Sequence, residues 1–393
     1  MRATELALLT LVLRTCDTAT GPPISSAAYT PTCSTTAAAH PDAKTSCVDD
    51  VVAFIGKTTY EDIQDAIDDA SRGDEIYICP GEHEVELKLS SLNVTLAAAS
   101  GEAATTTLSG GGSSQVLSGT QANLSVYNLT FSDGSAYNGG AVGFSQAELS
   151  LSCVTFSGNT SSGDGGAIDL DQGILTLDTV TFDNNTATGD GGAVRLRGSY
   201  PSKLVASDST FTDNSASSGG ALALGEEAQG DRFTLSDCEL DGNTADDEGG
   251  AILLETDGYA TLTVADTIIR DNEASSGGGV ALVGDAMEYD VWFEVTDFDG
   301  NTADSGAAIY ANSSPDLIDL DFYQATILDN VSDDAAVEVS NDTIVWSYES
   351  DWGDTGTTDD NTDEDLSCDC GSYDDLQSAE TFLCTLDGKW VTP

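Results

Sequence analysis

Seven asparagines fall into step along this chain: Asn159, Asn185, Asn214, Asn243, Asn272, Asn301 and Asn330. The intervals after Asn185 are all equal, and the one before it is slightly shorter. Five or six residues after the first five stands a glycine pair, at Gly165-Gly166, Gly191-Gly192, Gly219-Gly220, Gly249-Gly250 and Gly277-Gly278. A fixed period of roughly 30 residues marks a stacked repeat, in which no unit buries its own apolar face and the neighbours must cover it.

The residues between the asparagines form columns. Three before each Asn stand Phe156, Phe182, Phe211, Leu240, Ile269, Phe298 and Ile327. Ten before stand Leu149, Leu175, Leu204, Phe233, Leu262, Val291 and Leu320. After the glycine pairs, Val194 and Leu196 alternate with Arg195 and Arg197, and the same alternation recurs in the other repeats. Alternation with period two indicates strands with one buried face. Three short strands in so short a unit fit a parallel β-helix, whereas a leucine-rich repeat needs a helical segment that the pattern lacks. In a solenoid, equivalent residues lie ~4.8 Å apart. Stacked Asn side chains, with two donors and an acceptor, can therefore bond one another and the turn backbone. The glycine pair permits a tight corner with positive φ.

The alternation of Phe-x-x-Asn (156–159, 182–185, 211–214, 298–301) with Gly-Gly-Ala-Ile/Val/Leu (139–142, 165–168, 191–194, 219–222, 249–252) resembles the repeat of polymorphic outer-membrane proteins, within the pectate-lyase-like superfamily. The resemblance covers residues 131–339. It implies an all-β, single-stranded, right-handed parallel β-helix on a surface protein, several family members acting as adhesins. The chain departs from the family in showing no C-terminal run of amphipathic strands for a membrane barrel.

The pattern divides the chain into four parts. Residues 1–16 read as an export signal: Arg2 precedes the apolar run Leu6–Leu13, and Leu13 stands three before Cys16, as in a lipoprotein cleavage box that would lipidate Cys16. Residues 17–46, rich in Thr, Ala, Ser and Pro, read as a tether. Residues 47–345 form the β-helix. A cap helix is expected at about 60–71, where Ile63, Ala66, Ile67 and Ala70 share a face; an uncapped first coil would expose an unpaired strand edge. Residues 346–393 form an acidic, irregular C-terminal cap containing Cys368, Cys370 and Cys384. Nine cysteines indicate an oxidising compartment. Cys33–Cys47 and a pair within the C-terminal trio are the expected disulfides. Cys153 and Cys238 lie three coils apart and cannot bridge each other, and Cys238 falls on an inward column.

A formal charge of −56, from 68 acids and 12 bases, excludes nucleic acid and anionic polymers as partners. Asp208, Asp237 and Asp266 each stand six before their Asn and predict a stacked carboxylate row. Calcium is the one candidate cofactor, with these three as its candidate ligands. No zinc site is expected, since no Cys-x-x-Cys exists and only His40 and His83 are present. The repeats carry Arg195, Arg197, Lys203, Arg232 and Arg270 as their only bases, none in a hydrolase-like motif, and no catalytic residue is assigned. Coils grow at one repeat position, at Ser199–Ser202, Glu226–Asp231, Asp257–Tyr259, Asp285–Asp290 and Asn312–Asp319. Insertions at one position project from one side and often form a solenoid's binding face. Tyr200, Tyr259 and Tyr289 are the candidate binding residues there, with a glycan or other cell-surface ligand as partner and the membrane reached only through a lipid anchor. The expected function is that of an exported, surface-located, non-catalytic binding or adhesion module. The alternatives are a polysaccharide lyase or glycoside hydrolase of the pectin-lyase-like fold and a structural surface-layer component.

Overall fold

The computed structural model describes residues 40–352, except 49, 199–201, 226–230, 285–287, 314–316, 334, 340–342 and 349. It also describes the C-terminal strands Glu364–Cys368, Gly371–Tyr373, Glu380–Thr385 and Lys389–Val391. The export signal with Cys16, most of the tether and Tyr200 lie outside the described residues. The chain is a parallel β-helix. One coil shows the construction. Strand Ile168–Asp178 carries the apolar side chains Leu170, Leu175 and Leu177 inward, turns at Thr179, and continues as Thr181–Asp183. After a second turn at Asn184 comes Thr186–Ala187, and the glycine pair returns the chain to Val194–Arg197, one coil on. Each strand pairs in parallel with its equivalent, Val142↔Ile168↔Val194↔Leu222 on one side and Phe131↔Phe156↔Phe182↔Phe211 on another.

Three corners per coil hold the left-handed conformation. The first column contains Asn128, Cys153, Thr179, Asp208, Asp237, Asp266, Val295 and Gln324, with φ between 47° and 57°. The second, immediately before each Asn and before the equivalent Gly134, contains Asp133, Gly158, Asn184, Asp213, Gly242, Asp271, Gly300 and Asp329. The third is the first glycine of each pair, as in Gly191 at φ 72°. Asn, Asp and Gly tolerate this region best, so the corner columns recruit them. The second glycine has a different role. A Cβ on Gly192 would collide with the carbonyl of Gly220 in the next coil, so this residue is excluded from growth by stacking and not by φ.

The seven Asn side chains run as a buried ladder. Asn185 donates Nδ2 to Asn214 Oδ1 at 3.0 Å and to the Phe156 carbonyl at 3.2 Å, while its backbone N–H donates to the same Oδ1 at 3.0 Å. The pattern repeats at each step, and at the far end Asn330 closes it on the Phe298 and Leu328 carbonyls. Beside it the rings of Phe131, Phe156, Phe182 and Phe211 stack with centroids 4.9–5.0 Å apart.

Both ends are capped. Helix Ile63–Asp69, shorter than the sequence implied, buries Ile63, Ala66 and Ile67, and Asp62 caps it by accepting from the Gln64 N–H at 2.6 Å. Ala53–Ile55 pairs antiparallel with Thr58–Tyr60 and with Glu75–Ile78. At the other end Trp352 closes the core edge-on to Phe322, and Thr343–Tyr348 pairs antiparallel with Glu380–Thr385. Antiparallel additions stop further parallel stacking. The expected Cys33–Cys47 bond is corrected: Cys47 bonds to Cys79, fastening the helical turn Ala43–Ser46 onto the first coil. Cys153 is disulfide-bonded, and Cys238 is a free, buried core residue.

Phe182→Ala should cost about 3–5 kcal/mol by opening a cavity between two stacked rings, whereas Asp183→Ala should leave the denaturation midpoint nearly unchanged. Asn214→Ala orphans two buried donors on Asn185, at roughly 1–3 kcal/mol each. Asn214→Asp should be worse at neutral pH, because it adds a buried charge. Chemical denaturation of the four variants checks the set, and equal midpoints for Phe182→Ala and Asp183→Ala would overturn the column assignment.

Candidate functional site

The coils grow at one bend of the long sheet. In the short coils a left-handed residue makes the bend, Gln146 at φ 54° and Gln172 at φ 61°. In the later coils the strands Val194–Arg197, Leu222–Gly225, Ile252–Glu255, Val280–Gly284 and Ile309–Ser313 end there, and the next strands are Lys203–Ser207, Asp231–Ser236, Tyr259–Ala265, Glu288–Glu294 and Leu317–Tyr323. The insertions are thus shorter than the sequence implied, since Asp231, Tyr259, Glu288–Asp290 and Leu317–Asp319 already belong to strands. Of the three candidate tyrosines, Tyr259 is half-exposed and points outward at the start of its strand. Tyr289 is not a binding platform: it is fully buried. Its hydroxyl accepts from the Thr256 N–H at 3.1 Å and bonds the Val283 carbonyl, fastening the bend from inside. The reason is parity, because Tyr289 alternates with the inward Val291 and Phe293.

The carboxylate row exists as a stack of corner residues. Asp208, Asp237 and Asp266 all occupy the first left-handed corner, with φ 49°, 51° and 47°. Burial, followed by the Asp266 and Asp208 charges, pushes the Asp237 carboxyl above its ordinary range. Among the described residues no three His, Cys, Asp or Glu side chains gather as a metal-ligand set. This row shows no such set, and the calcium comparison below tests its assignment to calcium. Corner geometry accounts for these acids.

Two of the repeat bases are held by acid pairs. Arg197 lies 3.0 Å from Asp164 and 3.5 Å from Asp169, and Arg270 lies 2.6 Å from Glu239 and 2.8 Å from Asp241. Arg195 points outward from its strand yet is buried, beside Asp190. A groove of about 690 Å³ runs over the bends of the first coils. It is floored by the amide chain Gln121–Gln146–Gln172 and by Asn123 bonded to Glu148 at 2.8 Å.

A different set of residues stands out on the outward face of the long sheet in the last coils. Trp292, Asp321 and Trp346 occupy one row across three adjacent strands. Asp290 and Asp319 form the row on one side of it, and Glu294, Tyr323 and Tyr348 the row on the other. Trp292, Trp346 and Tyr348 are each about half-exposed. Trp292 donates its indole N–H to Asp290 at 2.6 Å, and a bond from Trp346 likewise engages Asp319. Tyr323 and Tyr348 stack at 5.3 Å. Burial first, then the charges of Asp319 and Asp290, push the Asp321 carboxyl up to about 6. Sequence reasoning missed this face because it followed the repeating inward columns. The signal was nonetheless present: nine before each Asn, Ser150, Thr176, Val205, Thr234 and Thr263 give way to Trp292 and Asp321.

Calcium should raise the melting temperature no more than sodium at matched ionic strength, and Asp237→Asn should raise it by relieving the stacked charges; a calcium-specific gain lost in Asp237→Asn would restore the ligand reading. The carboxyls of Asp169, Asp231 and Asp321 are each pushed up to about 6, in every case chiefly by burial. The fold therefore binds protons that the unfolded chain releases between about pH 4 and 6, and stability from these groups is lost as pH rises through that window. Thermal melts should shift upward from pH 7.5 to about pH 5, less so in Asp169→Asn. A downward shift over that range would contradict the assignment.

Known proteins match the chain in two respects. Residues 154–170 and 179–196, two adjacent coils, match the Chlamydia polymorphic membrane protein (Chlamydia_PMP) repeat. Among solved structures, a mutant of the PL6-family alginate lyase AlyGC matches at 10% identity and a TM-score of 0.25, over 84% of this chain and 53% of that one. This chain thus spans about half that protein's length. No curated protein matches the sequence. The chain is a parallel β-helix that carries repeats of the polymorphic outer-membrane protein type.

Proposed function

We propose that this chain is an exported, surface-exposed β-helix that acts as a non-catalytic binding or adhesion module. Its working surface is the outward sheet face of the last coils. The observation that carries this reading is the gathering of half-exposed aromatic side chains there, Trp292, Trp346 and Tyr348, where the Trp row of earlier coils carries Ser150, Thr176, Val205, Thr234 and Thr263. Large exposed aromatic groups on a rigid scaffold cost hydration in the free protein, and such residues dominate binding interfaces. The repeat match supports surface exposure, since the matched repeat is that of a membrane protein of Chlamydia.

Fluorescently labelled full-length chain, titrated onto a panel of bacterial and eukaryotic cells, tests the proposal. Wild type should bind at least one surface saturably. A Trp292→Ala/Trp346→Ala double variant should bind it tenfold or more weakly, as expected for loss of anchoring aromatics, with an unchanged melting curve. Equal binding by the two proteins would overturn the assignment of the working face.

A further inference from the structure

Strands Glu288–Glu294, Leu317–Tyr323 and Thr343–Tyr348 together carry Glu288, Asp290, Glu294, Asp319 and Asp321, and no lysine or arginine. The stretch without bases is wider still: no Lys or Arg occurs between Arg270 and Lys389. No cation of these coils therefore relieves the repulsion, although Arg197 and Arg270 do so for acids in earlier coils. Asp321 lies between two half-exposed indoles on the same row, so a charged group reaching it from solvent passes between aromatic rings.

Resting on the working face proposed above, we infer that its ligand is a glycan bearing free amino groups, whose ammonium sits at Asp321 while its sugar rings pack on Trp292 and Trp346. Three features converge on that chemistry. The crowded carboxylates complement a cation. The indole rings bind either an ammonium, through their quadrupole, or the apolar face of a sugar. The two Trp side chains lie two strand spacings apart, ~10 Å, a span that suits a short oligosaccharide lying across the coils. The indole N–H bonds to Asp290 and Asp319 hold the rings in place before a ligand arrives, which lowers the ordering cost of binding. A basic peptide fits less well, because the backbone of these strands is already paired on both sides and offers no edge for strand addition.

Calorimetric titration of the full chain with oligoglucosamine, its fully N-acetylated counterpart and oligolysine of equal charge tests this. Oligoglucosamine should bind, and each of the other two should bind roughly tenfold more weakly. Asp321→Asn and Trp346→Ala should each weaken oligoglucosamine about tenfold, whereas Tyr137→Ala, at an exposed site in an earlier coil, should not. Equal affinity for the N-acetylated oligomer would overturn the inference, since the amine would then not be recognised. Equal affinity for oligolysine, unaffected by either variant, would overturn it as diffuse attraction to an acidic surface. Failure of oligoglucosamine to bind, with cell binding still lost in the double Trp variant, would remove the ligand class and leave the working face standing. Retained cell binding in that variant would remove the working face itself.

Discussion

The structure depends on what one amide can do inside a stack. Each ladder Asn has two Nδ2 donors and one Oδ1 acceptor with two lone pairs. Inside the ladder all of these are used, as at Asn214: Oδ1 accepts the side-chain and backbone N–H of the preceding Asn, and Nδ2 reaches the following Oδ1 and a carbonyl one coil back. No other side chain of similar size does all this. Serine lacks the second donor, and aspartate lacks both. Because the backbone N–H of one coil is satisfied by the side chain of the next, a coil cannot slip by a residue without orphaning buried groups, and a slip would also turn every apolar side chain outward. The larger length changes therefore fall at the bend, a place the ladder does not control. Coils of unequal length keep the same register on either side of the bend, Asp169↔Arg195 before it and Ile174↔Lys203 after it.

The same geometry accounts for part of the acidity. Two corners per coil need a left-handed residue that can carry a side chain, and Asp is among the few that adopt it cheaply. In the second corner, acids alternate with glycine: Asp213 precedes Gly242, and Asp271 precedes Gly300. A Cβ on Gly242 would lie 2.9 Å from Asp213 Oδ1, and one on Gly300 2.8 Å from Asp271 Oδ1, so glycine leaves room for the carboxylate of the coil before. The first corner does not alternate at Asp208, Asp237 and Asp266, and the middle carboxyl is raised, by burial first and then by the charges of its two neighbours.

The fold was legible because its determinants repeat. Asn, Phe, Leu and Gly columns recur at one interval, so the stacking direction, the inward face, the capping helix and the burial of Cys238 all follow from the sequence. Features that occur once were less legible. Tyr289 reads as a loop aromatic from its acidic neighbours, yet its parity with Val291 and Phe293 places it inside. Cys47 has nearer partners in sequence than Cys79, but only the folded cap brings Cys79 within bonding distance. The aromatic face is the clearest case. Trp292 and Trp346 are far apart along the chain and become near neighbours only because Asp321 lies between them in a common register. A repeat scaffold needs its inward columns for stability and leaves the outward ones free to vary, so the residues that break the repeat are the ones periodicity does not reveal.

Native-state hydrogen exchange on the full chain tests the central dependence on the ladder most directly. The account predicts that the backbone amides of Asn159, Asn185, Asn214, Asn243, Asn272 and Asn301, each donated to a neighbouring Oδ1, exchange only through the largest cooperative opening of the chain, whereas that of the exposed Asp257 at the bend exchanges through local fluctuation. Exchange of the Asn amides as fast as that of Asp257 would contradict it, and would place the stability of the β-helix in its apolar columns alone.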